Sequence, residues 1–489
     1  MKRGGRPPLR LRCRAIVLGS ALLLVGTLAS GARAGTANTV DSATDATCRA
    51  NEPSDSFSFP STIAADGRHV LDGSGNPWLV VGDAGWSAIA ELDRDEFDWY
   101  LDQLASMRFN AVLVSLIETS YSSHPPANHD GEVPFVGDLF QSRPNETYWE
   151  LVDEYVAAAA ARGITLLATP AYLGYATDGV AAAVAAATQR QMFDYGTFLG
   201  RRYADSPNIM WVVGGDRTDL SDAELAGMDA MAQGIRSVAP QLIAGHAAGG
   251  STAADVYGEF DWLQVNTSYE SEGDPAVAAR RAVAQQPTRP TFSIEGVYEQ
   301  ERDDALPSGN ALLRYQAYGA ILSGGFGHVF GNNPRWHFGA SNPYPYEGTW
   351  ELSLEDPRGQ LDRGTSHQCV VAKIVGGLPW ANLQPDVDGL FVVGADGPEA
   401  AGVAAAFSTA DSVGAVYVPS SDAGTVTVEV SALGTNSDIM IVRVDPTNGS
   451  VSDMARLPAE SGEQPLPPPG TNANGDTDWL YIMSPAPTP

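Results

Sequence analysis

Two acids stand where strand-like runs end. "NIMWVVGGDR" (Asn208 to Arg217) leads five apolar residues into two glycines and then Asp216 beside Arg217, and "TFSIEG" closes on Glu295. Such a pair of carboxylates can work on a glycosidic bond, one protonating the leaving oxygen and the other acting as nucleophile or base at the anomeric carbon. Removal of water around Asp216 would raise its pKa towards that of a working acid. Gly214 and Gly215 carry no side chains, so Asp216 is expected to approach a ligand without steric cost. Arg217 is expected to orient or pair with an acid. The plainer reading is that Asp216 caps a turn or bridges to Arg217, and Glu299 and Glu301 compete with Glu295 for its role.

The other strand-like runs also end on polar or aromatic residues. The first ends at Asp83 and Trp86, the second at Glu118, the third at Tyr172 and the fifth at His246. The sixth runs into Asn266 and Tyr269, and the eighth into His328, Asn332 and Trp336. Asp83, His246, Asn266, His328 and Asn332 can hydrogen-bond hydroxyls, and Trp86, Tyr172, Tyr269 and Trp336 can stack on the apolar face of a sugar ring. Glu118 and Asp83 read as substrate-binding or supporting groups rather than catalytic ones. Plain core roles stay open for His246 and His328, and packing under the eighth loop for Trp336.

These ends presuppose a fold. Strand-like and helix-like segments alternate from about residue 78, which is the pattern of an α/β protein. "WLVV", "NAVLVSLIE", "ITLLATP", the Asn208 run, "LIAGH", "WLQVNTS", "TFSIEG" and "GAILSGGFGHVFG" supply eight strands in about 260 residues, as a (β/α)8 TIM barrel needs. Its active site lies at the carboxyl ends of the strands, and strands four and seven stand on roughly opposite sides of that face. No glycine-rich phosphate loop follows the first strand, which argues against a doubly wound sheet. Helix starts are marked by Asp93 with Glu96 and by Ser221 with Glu224, both capping-box spacings, and by Asn145. "RHVLDGSGNPWLVV" reads as a hairpin leading into the barrel. Beyond Leu383 the runs are short, alternating and divided by Gly, Pro and Asp, and predict a small all-β sandwich domain. The expected organisation is a signal peptide over 1–34, a flexible lead-in over 35–56, the barrel over 57–383 and the sandwich over 384–489.

The chain has 489 residues and a formal charge of −30. Its basic head, the apolar run Ala15 to Leu28 and Ala32-Arg33-Ala34 predict a secretory signal, hence a secreted protein with no membrane anchor after cleavage. Loss of residues 1–34 removes seven basic and no acidic residues, taking the charge to −37. That surface repels phosphate backbones and excludes nucleic acid as a partner. Cys48 and Cys369 then remain, as one disulfide or two thiols. Beyond residue 34 the sole lysine is Lys373, outside the barrel strands, which argues against Schiff-base chemistry. No cofactor or metal is expected. A metal site built from His124, His129, Asp130 and Glu132 is a rival reading, and a barrel that binds glycans without cleaving them is another.

"GDAGW", "PNETYWELVD", "RRYADSPNIMWVVGGDR", "FSIEGVYE" and "GGFGHVFGNNPRW" resemble the apiosidase-like catalytic domain of glycoside hydrolase family 140, over about Phe59 to Leu383. The resemblance implies a secreted (β/α)8 hydrolase of plant cell-wall glycans, releasing apiose from pectin side chains, with the catalytic Asp and Glu falling on Asp216 and Glu295. It implies an oligo- or polysaccharide as substrate. The tail ending "GDTDWLYIM" is similar to a small collagen-binding-like β-domain that often follows this catalytic domain, so a glycan or protein ligand is expected there. Two departures bear on the substrate: "SIEGVY" stands where the family commonly has "DGEP", and the loop "SYSSHPPANHDGEVPF" matches loosely.

Overall fold

A computed structural model describes residues 57–175, 178–301, 309–340, 346, 348–355, 363–394, 402–467 and 470–487. The first to eighth barrel strands are Val80–Ala84, Ala111–Ser115, Thr165–Thr169, Ile209–Gly214, Ile243–His246, Asn266–Glu270, Thr291–Gly296 and Gly327–Phe330. They pair in parallel from the fifth back to the first, on to the eighth, and so to the sixth. A parallel bridge from Ala244 to Val265 joins the fifth strand to the sixth and closes the ring. Ser251–Thr252 adds a short antiparallel strand beside the sixth.

The fourth strand explains why such runs are apolar throughout. Met210 and Val212 face the barrel interior, packed with Leu113, Leu167, Phe292 and Ile294. Trp211 and Val213 face outward, against the helix side chains Met192, Leu199, Met228 and Ile235. Both faces are dry, so no position within the strand is open to a polar residue, and polarity is displaced to the ends.

Capping boxes start four of the surrounding helices. Asp93 with Glu96, and Ser221 with Glu224, close theirs as their spacing predicts, and Thr188 with Gln191 and Thr252 with Asp255 add two more. Asn145 occupies an N-cap but makes no capping bond; its side chain donates instead to Glu132 and to the Val133 carbonyl.

Three strand limits differ from the sequence reading. Trp78 pairs with Val70 in a small N-terminal sheet, and the barrel strand begins at Val80. The "GAIL" portion of the eighth segment ends the helix Gly309–Leu322, leaving only Gly327–Phe330 as strand. The sixth strand starts, rather than ends, near Asn266.

The C-terminal part is all-β. A six-stranded antiparallel sheet runs in the order Gln384–Pro385, Ala404–Ser408, Val413–Val418, Trp479–Pro485, Ile439–Val444, Val451–Leu457. One face buries Val416, Ile441 and Tyr481 with Val392 and Val428 of a three-stranded sheet and the adjoining Phe391. The other face lays Ala404, Ala415 and Tyr417 on barrel helices, where Tyr318, Leu322 and Val371 meet them. The Tyr318 and Tyr417 rings stack at 4.8 Å. Cys369, buried in the helix Arg363–Gly376, is disulfide-bonded, and Cys48 lies outside the described residues, as does the signal segment.

Candidate active site

Asp216 leaves the fourth strand through a backbone pinned on both sides. Leu173 N–H bonds the Gly214 carbonyl at 3.1 Å and Gly215 N–H bonds the His246 carbonyl at 3.3 Å. Gly214 has φ +127°, and a Cβ there would meet the His246 carbonyl oxygen at 2.2 Å; one on Gly215 would meet Leu173 N at 2.5 Å. The glycines therefore let neighbouring backbone close in on the strand end. The Asp216 side chain accepts from Gly249 N–H at 3.3 Å, from the loop after strand five. Burial and then the charge of Glu295 push its pKa up to about 6, with His246 and the Gly249 bond pulling the other way.

Glu295, on the seventh strand, is held at both oxygens. His246 Nε2 donates to one at 2.8 Å and the Tyr298 hydroxyl donates to the other at 2.8 Å. Tyr298 in turn accepts from Trp86 Nε1 at 2.9 Å. Burial pushes the His246 pKa down, but the Glu295 hydrogen bond, the Glu295 and Asp216 charges and the Gly215 carbonyl outweigh it, so the ring titrates above its ordinary range. Trp86, Tyr172, His246 and Tyr269 form an aromatic lining: Trp86 meets Tyr172 at 5.0 Å and His246 at 5.6 Å, and His246 meets Tyr269 at 5.9 Å. Burial and the charges of Glu295, Asp216 and Asp178 all raise the Tyr172 hydroxyl, which places that ring within the field of both acids.

The remaining sequence candidates go elsewhere. Asp83 is fully buried and locked to Arg335, whose Nε lies 3.0 Å from it, and to the Tyr100 hydroxyl at 2.6 Å, so its oxygens hold the fold rather than a sugar. Glu118 collects the N–H groups of Thr119, Ser120 and Tyr121 and organises the loop after strand two; burial raises its pKa. Asn266 bonds Ala254 N–H, the Ala282 carbonyl and Gln285 near the start of its strand, away from the carboxyl-end face. His328 Nε2 faces Gln368 at 2.8 Å and burial lowers its pKa to about 4, so it is a core histidine. Asn332 donates to Glu299, and Glu299 also receives the Gly364 N–H, so neither offers itself to substrate. Arg217 pairs with Asp219 and with Glu224 of the next helix, not with Asp216. Trp336 is the exception: it stands edge-on to Tyr121 at 4.9 Å and, like Tyr172 and Tyr269, packs partly buried against the cluster that contains Trp86 and Tyr298.

Tyr298 is the residue the sequence reading passed over; its signal was a tyrosine three positions past the acid. Of the rival metal ligands, Asp130 pairs with Arg94 and Glu132 accepts from Asn145. Among the described residues no three His, Cys, Asp or Glu side chains gather to hold a metal ion.

The model of the apiosidase-like catalytic domain matches residues 64–372. The chain belongs to the apiosidase-like family. Its activity class is therefore that of a glycoside hydrolase. Among curated proteins, none matches the chain. Of solved structures, one titled glycoside hydrolase superposes with a TM-score of 0.74 at 20% identity, covering 88% of this chain and 98% of that one. A glycoside hydrolase family 5 protein from Bacteroides vulgatus ATCC 8482 gives 0.73 at 22% identity, covering 87% and 94%. At those identities the likeness speaks for the fold, and it spans the barrel and the β-domain of the apiosidase-like chain together.

The partly buried charge at Asp216 predicts a stability cost. A carboxylate whose folded pKa lies above its unfolded 3.8 loses stability as pH rises past that value, and the loss levels off above about 6. About two pKa units correspond to at most about 3 kcal/mol. Asp216→Asn, whose amide oxygen still accepts from Gly249, should therefore melt a few degrees higher than wild type at pH 7.5 and equal it near pH 4. Equal melting temperatures at pH 7.5 would contradict a desolvated Asp216.

Proposed function

We propose that this apiosidase-like domain is a secreted enzyme that cleaves apiose-like glycosidic bonds in plant cell-wall pectic glycans, with Asp216 as acid and Glu295 as nucleophile or base. One observation carries the assignment: the carboxylates leave strands four and seven within each other's electrostatic influence, in different environments. Asp216, raised to about 6, keeps a proton to give below that pH. Glu295 has both oxygens fixed by donors on His246 and Tyr298, which aims the group at one point. Trp86, Tyr172 and Tyr269 supply the faces on which a sugar ring stacks. The family match supports the sugar class, and the acidic surface and predicted signal support action outside the cell on neutral or weakly charged glycan.

The test is sugar release from pectic glycans carrying apiose, arabinose or galactose, with wild type beside Asp216→Asn and Glu295→Gln. Release by wild type alone, with kcat/KM falling as pH passes about 6, is expected. Equal release by all three would overturn the carboxylate assignment, and release of sugars other than apiose would overturn the substrate.

A further inference from the structure

Glu118 follows the second strand and is only 5% exposed, so it has almost no surface to offer a ligand. One carboxylate oxygen accepts three successive N–H groups, those of Thr119 and Ser120 at 2.8 Å and that of Tyr121 at 3.0 Å. The other accepts from the Ser87 hydroxyl at 3.2 Å, and that hydroxyl lies equally close to the Tyr121 carbonyl. Burial raises the pKa of the acid, with the same four donors pulling the other way. A neutral side chain would give those N–H groups a weaker acceptor.

The segment so held reaches across the mouth of the barrel. The Thr119 and Ser120 hydroxyls donate to the Asp178 carbonyl, the first at 3.1 Å, and the Tyr121 hydroxyl donates to the Asp178 carboxylate. The loops after strands two and three are thereby tied together. On the other side, Ser87 N–H donates to the Trp336 carbonyl at 3.0 Å and Ser115 N–H to the Trp86 carbonyl at 2.9 Å. The Tyr121 ring then meets Trp336 at 4.9 Å and 77°, and Trp336 packs against the cluster that contains Trp86.

We propose that Glu118 is a positioning residue for the sugar pocket: it holds the Tyr121 ring against Trp336 and so sets an aromatic wall on which a sugar ring of the substrate stacks. This rests on the sugar-binding reading above. Stacking rewards a ring face that is already in place, and a tyrosine on a loop is not in place by itself. Glu118 fixes the Tyr121 backbone and Asp178 fixes its hydroxyl, so the ring is anchored at both ends. A wall that holds the sugar alike in ground and transition states acts on KM and leaves the chemical step alone.

Glu118→Ala should raise KM on pectic glycan by about tenfold, with kcat within about threefold of wild type. Glu118→Gln should keep KM within about threefold, because its amide oxygen still accepts the N–H groups while its NH2 faces the Ser87 oxygen. The deciding measurement is a double-mutant cycle with Trp336→Ala. Once the indole is gone, Glu118→Ala should raise KM by no more than about twofold further. Indole 15N–1H spectra, which need no substrate, should show the Trp336 signal (assigned with Trp336→Phe) displaced in Glu118→Ala and unmoved in Glu118→Gln. Tyr121→Phe, which keeps Glu118 and releases the far end of the ring, gives the same cycle and the same spectrum if Glu118→Ala does not fold. Independent losses in the cycle, or an unmoved Trp336 signal in Glu118→Ala, would overturn the proposal. Activity retained by both Asp216→Asn and Glu295→Gln would overturn the catalytic reading instead and leave the indole result standing.

Discussion

Glu295→Gln should lower kcat by at least about 10³-fold while the protein folds and binds glycan as wild type does. Glutamine is the same size and its carbonyl oxygen can still accept from Tyr298 or His246. What it cannot do is attack an anomeric carbon or take a proton from water. The partner rings then separate two explanations of any loss. Tyr298→Phe removes one of the donors that aim Glu295 and should lower kcat more than it changes KM, because the carboxylate loses orientation and not the substrate its contacts. If Glu295→Gln kept even a tenth of wild-type kcat, the group at the end of strand seven would not be the one that reacts, and Glu299 and Glu301 are poor replacements. Glu299 is tied to Asn332 and Gly364, and Glu301 accepts from Tyr298 N–H.

Arg314→Ala should destabilise the chain by about 3–5 kcal/mol, the range for removing one partner of a buried ion pair. Arg314 sits in the barrel helix Gly309–Leu322 with no exposed surface, and its guanidinium bonds Asp478 twice at 2.7 Å, Asp476 at 2.8 Å and His367 at 3.0 Å. Asp478 belongs to the β-domain, is itself fully buried, and also receives the Tyr417 hydroxyl and the Asn472 amide. Taking the arginine away leaves that carboxylate without its countercharge in a dry interface. The double variant Arg314→Met with Asp478→Asn should recover most of the loss, because it removes both charges together. A single variant within about 1 kcal/mol of wild type by chemical denaturation would show that the apolar contacts around Tyr318 and Tyr417 alone hold the β-domain to the barrel.

The sequence was most legible where an apolar run meets a glycine and an acid. Ile209–Gly214 has dry faces on both sides, so its end was visible as the first place a charge could stand, and Asp216 stands there. Legibility failed where a strand end had to be located to within a few residues. Asn266 was read as the end of a strand and lies at its beginning, which moves it from the carboxyl-end face to the helices behind. His328 failed for the same reason, since the apolar run before it is divided between a helix and a four-residue strand. Asp83 was placed at the correct strand end, but its partner Arg335 is 252 residues away, and no local pattern reveals that a carboxylate is already spent on a distant arginine. Tyr298 was missed because its hydroxyl reaches Glu295 only through the turn the backbone takes after strand seven.

The division of labour between Asp216 and Glu295 is tested most directly by varying the leaving group. Aryl glycosides of the released sugar, one with an acidic phenol and one with a weakly acidic phenol, would be turned over by wild type, Asp216→Asn and Glu295→Gln. If Asp216 protonates the leaving oxygen, Asp216→Asn should keep kcat/KM near wild type on the acidic phenol, which departs without help, and lose about 10²–10⁴ in kcat/KM on the other. Glu295→Gln should fall on both. Equal losses in kcat/KM on the two substrates in Asp216→Asn would contradict its role as the acid.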